Sequence, residues 1–206
     1  MNEEDKFLKM ITNSLELYHI YGARSSKKTD KVHYFFKTIM EQYLPKNYKI
    51  ELEKRIECSN HSGFKRCDIV LYKNNNRYII FPVKVIMSNF YQNKNNYYEN
   101  LVGDITTIIH CNPDIKFIPI NISFSRIPYL MKNKKIKKFE LITSSHFKPY
   151  NDLIKRCDNV VETITYLIEL DYENIENELY DKHPSVKNLS NETPWKKIED
   201  ILNPLL

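Results

Sequence analysis

A chain of 206 residues that is 42% hydrophobic and 28% charged is long enough to bury a core without disulfide help. It has no run of 18 apolar residues, and no apolar stretch follows the charged MNEEDK start, so neither membrane insertion nor export is expected. The four cysteines, Cys58, Cys67, Cys111 and Cys157, form no CxxC pair and read as reduced thiols of a cytoplasmic protein.

Charge is divided unevenly along the chain. The first 168 residues carry 27 basic and 17 acidic groups, and the stretch from Glu169 onward carries 4 and 9. A basic body suits a polyanionic partner, and an acidic tail would stay clear of it.

Taken in order, positions 5–20 place Phe7, Leu8, Ile11 and Leu15 at helical spacing and predict a first helix. Residues 22–30 are polar and read as a loop, with Asp30 as N-cap of a second helix over 31–44 that Pro45 ends. Tyr48, Ile50 and Leu52 alternate with Lys49, Glu51 and Glu53, which predicts a half-buried strand over 48–57. Residues 65–86 hold two apolar runs around the polar turn 73–76, the pattern of a β-hairpin.

An amide-rich stretch then leads into a helix from about Asn95 to His110, stopped by Asn112-Pro113-Asp114. Residues 115–124 are almost continuously apolar and β-prone, as expected of a central strand, and 136–143 predict a shorter one. Between Tyr150 and Leu170 apolar residues recur at 3.6-residue spacing and predict a long amphipathic helix. The remainder is acidic and irregular, with a short helix near 195–202. The resulting expectation is an α/β protein with an αβββαβ order and a mixed sheet flanked by helices. Residues 1–170 form its domain and 171–206 a helical acidic extension.

The hairpin carries the chemistry. Asp68 and Lys84 each interrupt an apolar run, and a lone charge in such a run is costly unless paired or used. Phosphodiester hydrolysis needs carboxylates for a divalent metal, an activated water and a cation near the developing charge. Asp68 supplies a ligand for Mg²⁺ and Lys84 the cation. A second carboxylate two residues before the lysine is absent, because Pro82 stands there. On the following helix, at 100° per residue from Tyr97, Glu99 falls at about 200° and Asp104 at about 340°. Glu99 opens the predicted helix and is the choice for the vacancy, with Asp104, Glu41 and Glu57 as other acids within reach.

These residues carry a resemblance. The αβββαβ order, Cys67-Asp68-Ile69-Val70 and Pro82-Val83-Lys84 together resemble the PD-(D/E)XK nuclease superfamily, and within it type II restriction endonucleases, over about residues 31–125. Most of that family has Glu-x-Lys where this chain has Pro82-Val83-Lys84. A CCGG-type subgroup takes its glutamate from the following helix instead, and Glu99 follows Lys84 with fourteen residues between, in a similar place. The same subgroup uses a glutamate from the helix before the first strand, a place Glu41 matches more loosely.

The resemblance implies a Mg²⁺-dependent homodimer cutting double-stranded DNA at a short specific sequence. Asp68, Lys84 and Glu99 would be catalytic, and Asp68, Glu99 and Glu41 would bind metal. Gln92, Asn93, Asn95 and Asn96 are candidate base contacts, because amides pair with adenine, and Lys65 and Arg66 are candidate phosphate contacts, as are the basic stretches 24–31 and 132–138. A structure-selective nuclease and a nuclease fold that only binds nucleic acid or protein are the alternatives.

Overall fold

A computed structural model describes residues 1–23, 25–172 and 182–206. Arg24 and the middle of the acidic tail, residues 173–181, lie outside the described residues. Helix α1 (Glu3–Tyr21) starts with a reciprocal cap between Asn2 and Asp5, which satisfies two of the backbone N–H groups that a helix start leaves unpaired. Helix α2 (Lys27–Met40) begins four residues before the predicted start. Asp30 is therefore inside its first turn, with Ser26 at the cap.

Strands β1 (Tyr48–Glu57) and β2 (Phe64–Lys73) pair antiparallel, and β2 pairs antiparallel with β3 (Asn76–Phe81). The hairpin thus has its predicted place, with Asn74 and Asn75 at positive φ in its turn. Strand β4 (Val83–Val85) continues β3 beyond Pro82. Helix α3 (Phe90–Cys111) follows, then β5 (Lys116–Phe117) and β6 (Ile120–Phe124), separated at Pro119.

A hairpin of β7 (Arg126–Leu130) and β8 (Ile136–Leu141) leads to two short helices, α4 (Lys148–Asn151) and α5 (Leu153–Arg156). Strands β9 (Ile164–Asp171) and β10 (Ser185–Leu189) and helix α6 (Ile198–Leu202) complete the chain.

The two prolines explain an apparent split of the sheet. A proline has no N–H for the ladder, and Pro82 and Pro119 lie side by side between the pairs Ile80 with Phe117 and Val83 with Ile120. Main-chain bonds bridge the gap: the Ile118 N–H donates to the Ile80 carbonyl at 3.0 Å and the Ile120 N–H to the Pro82 carbonyl at 2.8 Å. One mixed sheet results, ordered β1, β2, β3/β4, β5/β6, β9, β10. It is parallel from β3/β4 to β9 and antiparallel at both ends. Helices α1 and α2 pack on the face bearing Ile50, Ile69, Phe81 and Ile120. Helix α3 packs Ile105 and Ile108 against Val70, Ile80 and Phe117 on the other.

The long helix predicted over 150–170 is not formed. The chain turns at 157–160, where the Asn159 side chain donates to the carbonyls of Pro113 and Ile115. It then enters β9, a strand between β6 and β10. Ile164, Tyr166, Leu167 and Ile168 are all buried there, because a central strand covered on both faces needs apolar residues at consecutive positions. A continuous apolar run fits helical spacing by accident, and the β-branched and aromatic content of 163–168 was the better guide.

The described part of the tail packs into the same core through Leu189, Ile198 and Leu202. Trp195 stacks on Tyr166 with ring centroids 4.9 Å apart, lies 5.0 Å from the Phe7 ring, and donates from Nε1 to Glu3. Replacing Trp195 with Ala should lower the unfolding free energy by about 3 kcal/mol in a denaturant titration. No change would mean that the tail contributes nothing to the core.

Candidate active site

The hairpin and α2 meet at one pair of carboxylates. The register of β1 and β2 sets Glu53 opposite Asp68, between the pairs Leu52 with Ile69 and Lys54 with Cys67. Both strands change faces at this level. Ile50 and Ile69 point toward α1 and α2, whereas Ile56 and Cys67 point toward α3, a break in the usual alternation. Glu53 makes the crossing with φ at 54°, a left-handed conformation that a non-glycine residue rarely holds inside a strand. The two acids therefore project at the border between the helical layers, where residues from both reach them.

From α2, His33 is 4% exposed and bonds through Nδ1 to Glu53 Oε1 at 2.7 Å. An ionised carboxylate only accepts, so Nδ1 carries a proton, and in the neutral ring Nε2 then presents a lone pair. Nε2 is buried without a hydrogen-bond partner and lies 4.0 Å from Asp68 Oδ1. On the other side of Glu53, Arg66 holds Oε2 through its Nε at 2.5 Å.

The second oxygen of Asp68 accepts from the Val83 N–H at 2.7 Å, just past the strand break at Pro82. Asp68 is thus clamped by one oxygen and turned toward His33 by the other. Burial pushes its pKa up, opposed by the imidazole and by the Val83 N–H.

Lys84 stands on the same side of the sheet as Asp68. Its ammonium lies 4.1 Å from the centre of the Tyr97 ring on α3, with no carboxylate within 4.0 Å among the described residues. Although much of its side chain is open to solvent, crowding by the cavity walls lowers its pKa, against a pull upward from Asp68. Asp68, Lys84, Pro82 and Tyr97 line one cavity.

Helix α3 corrects the choice of helix acid. It begins at Phe90, five residues before the predicted start, so Glu99 is nearly three turns inside it rather than at its opening. The residues it turns to the cavity are Tyr97, Asn100, Leu101, Asp104, Ile105 and Ile108. Glu99 lies about 140° around the helix from Asp104 and is exposed. Asp104 reaches the cavity but is paired with Lys65 at 2.7 Å. Glu41, at the far end of α2, pairs with Lys37 and sits eight residues or about 12 Å of helix beyond His33. Glu57 is exposed at the end of β1.

Lys65 and Arg66 are both engaged with carboxylates rather than free for phosphate. Gln92, Asn93, Asn95 and Asn96 belong to the first turns of α3 instead of a loop. Asn93 bonds the Asn89 carbonyl, and the other three are exposed.

The residues that sequence reasoning missed are His33 and Glu53. His33 continues the buried line of Phe36 and Met40 at spacings of three and seven, a polar residue on an apolar stripe. Glu53 becomes visible only once β1 is paired with β2.

Asp30, His33 and Glu53 offer ligand atoms within 4.8 Å of one another, with Asp68 adjoining. Histidine and carboxylate side chains so grouped are chemically able to ligate a divalent metal, and a ring nitrogen fixed by a carboxylate is a common support for a ligating imidazole. The 4.0 Å gap between Nε2 and Oδ1 lets both touch one ion at about 2.1 Å. The chain matches no protein-family model, no curated protein and no solved structure at a significant level.

Because the folded state raises the pKa of Asp68, its ionised form costs stability. The cost is absent below the ordinary carboxylate range, grows as pH rises toward the raised value and is constant above it. In chelator, Asp68→Asn should therefore raise the melting temperature by a few degrees at pH 7, and the gain should vanish toward pH 3. Melting curves across that range check both the size and the sign.

Proposed function

We propose that this chain is a metal-dependent nuclease of the PD-(D/E)XK kind. The observation that carries the reading is the unpartnered Nε2 of His33 facing Asp68, with Lys84 on the same side of the sheet. The order of α2, three strands, α3 and a parallel strand supports it, as does the basic charge of the first 168 residues.

Asp68 Oδ1 and His33 Nε2 would hold the ion. Glu53 fixes the imidazole tautomer, and Arg66 fixes Glu53. A divalent ion there supplies charge stabilisation to the phosphate and lowers the pKa of a bound water. Mg²⁺ prefers oxygen donors, and one imidazole in the set makes Mn²⁺ an equal or better fit. The metal-binding role that the resemblance gave to Glu99 and Glu41 would pass to His33, with Glu53 and Arg66 supporting it.

Lys84 orients the attacking water and offsets negative charge on the phosphate as it builds up. The water oxygen forms the new bond to phosphorus, the ester oxygen leaves with a proton, and a phosphomonoester and a hydroxyl result. Site-specific cutting of double-stranded DNA is the finer form of this proposal. Cutting both strands of a palindrome requires two copies related by a two-fold axis, hence a homodimer.

Purified protein with Mn²⁺ or Mg²⁺ should cut DNA, giving discrete bands if the cut is site-specific. Lys84→Ala should lose about a hundredfold or more in rate while keeping its melting temperature. Unchanged cutting by Lys84→Ala contradicts the assignment. His33→Ala should weaken the apparent affinity for Mn²⁺ by about tenfold or more, read from the metal dependence of cutting.

A further inference from the structure

The cavity that holds Asp68 and Lys84 has a volume of about 280 Å³ and extends between α3 and the sheet. Its lining is mixed: Ile80, Leu101, Ile105 and Phe117 give it an apolar side, the charged residues at Asp68 and Lys84 a polar one, and Asn121 lies among them. That residue is 1% exposed, yet its amide nitrogen has no hydrogen-bond partner. Register explains its direction. Asn121 pairs with Lys84 on one side and Thr165 on the other, so the three side chains stand in a row on the face that α3 covers. Thr165 Oγ1 is also buried and unpartnered.

A buried amide nitrogen left without a partner is costly, and most buried polar groups in folded proteins are bonded. The ligand that would satisfy it must be flat, apolar on its faces and polar at its edge, and must lie next to a phosphodiester held at Asp68 and Lys84. A nucleobase meets all four conditions. The volume lies just below the usual range for small-molecule sites, which suits one ring system and not an extended molecule.

We propose that this cavity receives one unpaired or extruded nucleobase of the strand being cut, read at its edge by Asn121. The proposal rests on the nuclease reading and adds to it that the nucleotide at the cut leaves its stack. Nothing in the chemistry of the metal-binding residues requires this. A nuclease acting on fully stacked duplex would have no use for an apolar recess with a buried amide.

The test is binding of full-length protein in Ca²⁺, which suppresses turnover, to a labelled oligodeoxyadenylate and to an abasic strand of the same length. The intact protein should prefer the oligodeoxyadenylate by about tenfold, the contribution expected of one well-held base. Asn121→Leu, which removes the unsatisfied amide at similar volume, should lose that preference and bind the abasic strand unchanged. Leu101→Trp, which fills the recess from α3, should do the same.

Equal binding of both strands by the intact protein overturns the proposal and leaves the nuclease reading standing if Mn²⁺-dependent cutting persists. A preference retained in both variants also overturns it, with a water-filled cavity as the outcome. Failure to bind any nucleic acid overturns the proposal and the nuclease reading together.

Discussion

Two carboxylates placed opposite each other across β1 and β2 repel, and the region around them is arranged to hold that pair. Glu53 is neutralised by Arg66 and bonded by His33, and Asp68 is held by a main-chain N–H. The positive φ of Glu53 and the change of faces in both strands bring the pair to the border of the two helical layers. Without that crossing, Asp68 would lie under α3 alone and His33 on α2 would have no route to it. The arrangement leaves the buried His33 Nε2 without a hydrogen-bond partner among the described residues. A metal ion would resolve both the residual repulsion and the orphaned lone pair, so the site's cost in the metal-free protein fits its proposed use.

Pro82 has a double effect. Compared with the Glu-x-Lys pattern it removes a carboxylate, and it also breaks the strand so that the Val83 N–H turns to Asp68. Beside Asp68 stand instead a carboxylate from β1, the strand on its opposite side, and an imidazole from α2. In the proposed nuclease, Glu53 and His33 together would do what a single strand acid does in the pattern this chain departs from.

Much of the fold was legible in the sequence, since α1, the β1 strand and the hairpin follow from periodicity and turn residues. Asp68 and Lys84 could be singled out because each is a charge inside an apolar run. Helix acids were harder to place, because an angle on a helical wheel says which residues share a face but not which face meets the hairpin. Placing the start of α3 five residues late made Glu99 look terminal when it is interior and exposed. The β9 strand was misread because a strand buried on both faces loses the alternation that marks strands. Glu53 was hidden for a different reason: its role depends on cross-strand register, which no local pattern encodes.

The central claim is that Asp68 and His33 share a divalent ion. Crystals grown with Mn²⁺ and measured near the manganese absorption edge test it most directly. The account predicts an anomalous peak between Asp68 Oδ1 and His33 Nε2, within coordination distance of both. A peak at Asp104, or none at millimolar Mn²⁺ with Asp68 ionised, would contradict it.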